Sequence, residues 1–146
     1  MGKKRTFTVS EAEAMLPILG GLLRRAIAAK HKAKEIEEEF EHVRTHVFAS
    51  GGADLDIVAL SRRRAEGDKS MQQIKDSVAE IQATGVLVKD IDMGLLDFPC
   101  NVEGHTILLC WKFGEEKITH WHGTDEGFAS RKRIDGRIPR GRRKVQ

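Results

Sequence analysis

Aromatic residues are scarce in this chain, at 5% of 146 positions, whereas charged residues make up 32%. That balance excludes a large aromatic core and favours charged helices. No apolar run approaches the ~20 residues of a membrane span. The basic opening Met1-Gly2-Lys3-Lys4-Arg5 is followed by no apolar signal-peptide core. A cytoplasmic location without membrane association is therefore expected. Cysteine is limited to Cys100 and Cys110, with no C-x-x-C pair. Two free, buried thiols are expected in place of a zinc knuckle or a thioredoxin-like site. No Ser-His-Asp order, phosphate-binding loop or dinucleotide fingerprint is present, so no catalytic set is read from the sequence.

Charge is present but unevenly placed. The net charge is +3, yet residues 131–146 hold eight Lys/Arg against the single acid Asp135, which leaves a net of −4 on the rest. The tail is expected to be disordered. Its Arg133, Arg137, Arg140, Arg142, Arg143 and Lys144 offer non-specific, salt-dependent contacts to nucleic acid, with no aromatic beyond Phe128 to stack on bases. A solubilising tail is the plainer reading.

The helical signal begins at Thr8 or Ser10, either of which makes a capping box, with Glu11 or Glu13. From Met15 through Leu19, Leu22, Ala26, Ala29, Ala33, Ile36, Phe40 and Val43 to Val47 the apolar residues are spaced four and three, a coiled-coil seam. Ser50-Gly51-Gly52-Ala53-Asp54 breaks the helix, with Asp54 able to cap a second one. The second seam runs Ile57, Leu60, Arg64, Gly67, Met71, Ile74, Val78, Ile81, and Gly85 stops it. Folded back with paired numbers summing to about 103, small residues meet large ones, and Gly67 makes room for Ile36. Leu16, Leu23 and Ile27 form a second stripe for the C-terminal part to cover.

After Gly85 the period changes to that of strands, giving an antiparallel β meander. A turn at Glu103-Gly104 sets Asp97 beside Cys110 and keeps Cys100 away from it. A two-residue turn at Glu115-Glu116 would pair Trp111 with His120 and Cys110 with Trp121. The expected architecture is α+β: residues 1–8 an arm, 9–85 a long antiparallel two-helix hairpin, 86–130 a small meander, and 131–146 a basic tail.

Phe7-Thr8, Glu11-Ala12, Leu16-Pro17, Asp97-Phe98-Pro99, Leu109-Cys110-Trp111-Lys112, Gly114-Glu115, Trp121-His122 and Gly127-Phe128 together resemble an uncharacterised bacterial family, domain of unknown function 2203, over about residues 6–134. The resemblance implies a small cytoplasmic bacterial protein and brings no activity, substrate or cofactor. His120 stands where an aromatic is usual in that family, and Lys132-Arg133 where a proline is usual.

The residues that could carry chemistry lie on the meander: Asp97, Glu115, His120, Trp121, His122 and Arg131. His120 and His122 are two residues apart on one strand face, a spacing that suits two ligands of one divalent metal, with Glu115 or Asp97 adding oxygen. Alternatively a histidine acts as acid or base, Asp97 orients it and Arg131 holds an anion. The plainer readings are histidines packed at a core rim and an Asp97–Arg131 pair locking the last loop. Glu39-x-x-His42 and His46 also have metal-compatible spacing, but the second helix has no histidine to complete a di-iron set. Three functions stay open. The first is a non-enzymatic interaction or scaffold module, binding a protein partner or a second copy through the hairpin. The second is a metal- or small-ligand-binding protein with its site around Asp97, Trp121 and His122. The third is nucleic-acid association through the tail.

Overall fold

In the computed structural model, which describes residues 5–51, 55–138 and 140–141, Thr8 opens the first helix. Its hydroxyl accepts from the Glu11 N–H at 3.2 Å, and Glu11 Oε1 accepts from the Thr8 N–H at 2.9 Å. Two orphan donors of the first turn are satisfied reciprocally. Helix α1 (Val9–Ser50) continues through Pro17 and ends at Gly51, whose φ of 80° is a left-handed cap. Helix α2 (Ile57–Ala83) is capped by Asp56, which accepts from the Ala59 N–H at 3.0 Å. The cap expected at Asp54 lies outside the described residues.

The antiparallel register is close to the one anticipated. A Cβ on Gly67 would lie 3.2 Å from Ile36 Cγ2. Arg63 bonds both carboxylate oxygens of Glu39, at 2.7 and 2.8 Å. The seam on α2 differs by a rotation. Ile57 and Met71 are largely exposed and Arg64 faces water, while Ser70 and Ser77 are buried. The inward stripe is Gly67, Ser70, Ile74, Ser77 and Ile81. In that register Ser70 and Ser77 come level with Ala33 and Ala26 on α1, Ile74 with Ala29 and Gly67 with Ile36, so each layer has a small residue on at least one side, the backbones approach closely and the long Met71 is turned outward.

Five antiparallel strands follow in sequential order: β1 (Leu87–Asp90), β2 (Leu95–Val102), β3 (His105–Lys112), β4 (His120–Gly123) and β5 (Lys132–Arg133). Glu103 and Gly104, with φ of 51° and 84°, form the tight turn expected between β2 and β3. It sets Asp97 opposite Cys110. Between β3 and β4 the register departs by one residue from the anticipated pairing. Cys110 faces His120, Leu109 faces Trp121 and Leu108 faces His122. The connection is not a two-residue turn, because Phe113–Thr119 all lie outside the strands. One residue of slip exchanges the faces. His120 and His122 therefore leave the side of Leu109 and Trp111 for the side of Cys110.

The inner face presents Leu96, Phe98, Leu109 and Trp111 to Leu16, Leu19 and Leu23, the stripe left over on α1. The N-terminal arm joins this core: Phe7 is 2% exposed and its N–H donates to the Pro99 carbonyl at 2.7 Å. The start of the tail is ordered, against expectation. Lys132–Arg133 form β5, the Ile134 N–H donates to Thr119 O, and Ile138 is buried in the same core. Ile134 and Ile138, four residues apart, are the apolar anchors within this basic stretch. Among the described residues no helix is long and apolar enough to cross a membrane.

Gly94 links sheet to hairpin. Its φ is 70°, its carbonyl accepts from the Phe113 N–H, and an added Cβ would lie 2.6 Å from Phe113 Cβ and 3.6 Å from Ile27. Gly94→Ala combines left-handed strain with a steric clash and is expected to lower unfolding free energy by about 2 kcal/mol. Denaturant unfolding measures this, and a change below about 0.5 kcal/mol would contradict the turn geometry.

Candidate functional site

Side-chain alternation along β2, β3 and β4 puts Asp97, Cys110 and His122 together on the sheet face opposite the helices. Outer faces are usually wet, yet these residues are 1%, 1% and 2% exposed. The chain after β4 folds back over them. Arg131 bonds Glu115 through two nitrogens, at 3.2 and 3.3 Å, and the Phe128 ring stacks against the Arg131 guanidinium at 4.4 Å. Lys112 lies over the same ring at 5.5 Å. The Arg131 charge also acts on the Cys110 thiol.

His122 uses both ring nitrogens. Nδ1 lies 2.8 Å from the Gly123 carbonyl and Nε2 lies 3.1 Å from Asp97 Oδ1. A carbonyl only accepts, so Nδ1 carries a proton. In the neutral ring, Nε2 is then a lone pair facing a carboxyl oxygen, and a proton must lie between them. The pair holds it either as Asp97 carboxylic acid donating to imidazole or as carboxylate accepting from imidazolium. Burial raises the Asp97 carboxyl above its ordinary value, against the pull of His122. Asp97 Oδ2 is buried with no hydrogen-bond partner among the described residues.

The Cys110 thiol lies beside the same carboxyl. Burial, reinforced by the Asp97 charge, pushes it up to about 11, and Arg131 offsets only part of that. Neither imidazole nitrogen is free to take the thiol proton. The arrangement does not make an activated Cys–His nucleophile. What it does assemble is one sulfur, one nitrogen and one oxygen whose ligand atoms all lie within 4.8 Å of one another.

The structure therefore divides the anticipated site. Asp97 and His122 are joined. Glu115 and Arg131 pair with each other at its edge, which replaces the suggested Asp97–Arg131 pair. Glu115 Oε1 additionally accepts from the Lys112 N–H at 2.7 Å, so its carboxylate is committed. His120 shares the face but stays outside the cluster, with Nδ1 against Thr119 Oγ1 at 2.8 Å. Burial, then the Arg131 charge, lowers its pKa. Trp121 points into the core side, away from His122, and Lys132 lies over its ring at 4.7 Å. Cys110 was missed as a site residue. Its signal is the Asp97–Cys110 pairing, but a single buried thiol among apolar neighbours does not by itself point to a ligand. Glu39, His42 and His46 line a shallow cleft near the hairpin tip with Asp56 and do not converge as ligands among the described residues. In the tail, Arg133 pairs in β5, Arg137 bonds Asp135 at 2.9 Å, and Arg140 accepts at its carbonyl from the Ser10 N–H. Arg142, Arg143 and Lys144 lie outside the described residues.

Hairpin, meander and buried polar trio define a class of α+β protein in which one sheet is clamped between a helical pair and its own returning C-terminal chain. The chain belongs to the family described as uncharacterized conserved protein DUF2203, whose model matches residues 5–134. No curated protein and no solved structure matches it significantly.

Proposed function

We propose that this chain is a non-enzymatic protein-interaction module whose hairpin receives an amphipathic helix from a partner protein. The observation that carries the reading is an open groove on the free part of the hairpin. Ile27 is the last α1 residue packed on the core, and the Lys30–Asp92 ion pair at 2.9 Å marks where the sheet ends along α1. Beyond it α1 extends about 30 Å to Ser50. There the face that the sheet covers lower down becomes a groove of about 880 Å³, lined by Ile36, Phe40, Met71 and Ile74 together with Lys34, Arg64 and Asp68. Phe48, Ile57 and Val58, exposed to 95%, 63% and 62%, extend the apolar surface to the tip. Apolar surface left open on a charged arm marks a docking site.

A helix suits this groove better than a second copy does. Two hairpins stacked face to face in parallel would drive their sheets into the same space. Stacked antiparallel, they would set the groove's unpaired Lys34 and Arg64 against a second copy of the same charges. A single helix avoids both. Lys34 and Arg64 have no ion-pair partner among the described residues, and neither has Asp68. The excess of unpaired positive charge favours acidic flanks on the incoming helix.

Photo-crosslinking in the native cell tests this. A benzophenone side chain at Met71, in the groove, is expected to give a discrete adduct that Phe40→Glu abolishes. The same probe at exposed Gln73, outside the groove, is expected to give none. Equal adducts from both positions, or none from Met71, would remove the proposal. An adduct of twice the chain's own mass would replace the partner with a second copy.

A further inference from the structure

We propose that Asp97, Cys110 and His122 form a transition-metal site of the zinc class, with a fourth position for water or another ligand. Three independent features point there. The first is the geometry of the donor set. Ligand atoms around tetrahedral zinc stand roughly 3.3–3.6 Å apart. The three donor atoms here already lie within 4.8 Å of one another, and Nε2 and the nearer Asp97 oxygen are 3.1 Å apart. Binding requires shifts of tenths of an ångström for that pair and a modest closure by the sulfur. Sulfur, imidazole and carboxylate together suit zinc or cobalt and do not suit magnesium or calcium.

The second feature is the state of the histidine. A metal-bound imidazole characteristically donates its other N–H to a backbone carbonyl or carboxylate, which fixes the ring and leaves one lone pair for the ion. His122 Nδ1 makes that bond to Gly123 O at 2.8 Å. That leaves Nε2, which faces Asp97 Oδ1 at 3.1 Å, as the ligand atom once the shared proton is displaced.

The third is an unexplained polar atom. Asp97 Oδ2, in a residue 1% exposed, is buried without a partner among the described residues. A buried carboxylate left partly unbonded is costly, and a cation bound at it offsets that cost. Metal binding would displace the proton held between Asp97 and His122 and the thiol proton of Cys110. The resulting carboxylate and thiolate neutralise a divalent cation within the buried site.

The test is cobalt(II) titration of full-length protein purified without a histidine tag and freed of metal with chelator. One equivalent is expected to give tetrahedral visible bands together with a near-ultraviolet thiolate charge-transfer band. Excess zinc should bleach both. Zinc alone should raise the thermal midpoint, and chelator should reverse the rise. Cys110→Ser, checked for folding by circular dichroism, is expected to lose the charge-transfer band and at least tenfold in affinity. The chain has two cysteines, so a band that survives in Cys100→Ala is assigned to Cys110 even if Cys110→Ser does not fold. Absence of the band in wild-type protein overturns the proposal. So does a full-strength band in folded Cys110→Ser.

Discussion

In metal-free protein, His122→Ala is expected to lower unfolding free energy by about 3–5 kcal/mol, whereas Asp97→Asn is expected to cost less than about 1 kcal/mol. The asymmetry follows from the proton between the two residues. Alanine at 122 leaves a buried carboxyl with neither oxygen bonded by the ring, releases the Gly123 carbonyl and opens a cavity beneath the returning loop. Asparagine at 97 does something different. Its amide N–H donates to the Nε2 lone pair that the Nδ1–Gly123 bond leaves on neutral His122, so it stands in for the protonated carboxyl. If Asp97→Asn proves as damaging as His122→Ala, the pair is held as carboxylate and imidazolium, and the neutral form is wrong.

The same pair sets a pH dependence. Burial raises the folded-state pKa of Asp97 above its unfolded value. A group shifted in that direction contributes stability that is fully present below the unfolded pKa and is lost as pH rises through the folded one. Stability of the wild type should therefore fall relative to Asp97→Asn as pH rises from the ordinary carboxylate range upward. The groups acting on Asp97 are His122 from β4, Cys110 from β3 and Lys89 from β1, and all three pull its pKa down. Guanidinium unfolding of both proteins at about pH 5, 7 and 9 measures the difference. A difference that stays flat across that range would show that Asp97 does not titrate in it.

Much of this architecture was legible in the residues, for local reasons. The helix start at Thr8 and Glu11, the break at Gly51 and the turn at Glu103-Gly104 each depend on neighbours a few positions apart. The hairpin register was legible because Gly67 is needed opposite Ile36. The α2 seam was not, because hydrophobicity alone prefers Met71 to Ser70. Close approach of the alanine-lined face of α1 to the glycine and serines of α2 reverses that choice, and it becomes visible only once both helices are placed. The β3–β4 register failed at Phe113–Thr119, where the loop is longer than its turn residues suggest. That single slip decides whether His122 shares a face with Leu109 and Trp111 or with Asp97. The trio was half legible: Asp97 beside Cys110 follows from a tight turn, but burial of the outer face depends on residues 124–131 returning across it, and no periodicity encodes that path.

Phe98→Ala is expected to cost about 3–5 kcal/mol and to melt sheet and hairpin together. Phe98 is fully buried on the inner face of β2, opposite Leu109, and meets Phe7 edge to face with ring centroids 5.7 Å apart. Alanine leaves a void that the strand, bonded on both sides, cannot collapse into. It also loosens the N-terminal arm that Phe7 pins to Pro99. Against a typical total of about 5–15 kcal/mol, a loss of that size leaves the domain close to unfolding. Both tryptophans are on the sheet, so their fluorescence follows the meander, while far-ultraviolet circular dichroism follows mainly the helices. The two signals should shift to lower denaturant by the same amount. The reason lies in the hairpin's own interface. Ala26, Ala29, Gly67, Ser70 and Ser77 let the helices approach closely but bury little apolar area. The larger apolar residues of α1, Leu16, Leu19 and Leu23, are spent on the sheet. Without it the two helices have too little to bury against each other, and a helical signal that outlasted the tryptophan transition would show that the arm is a domain in its own right.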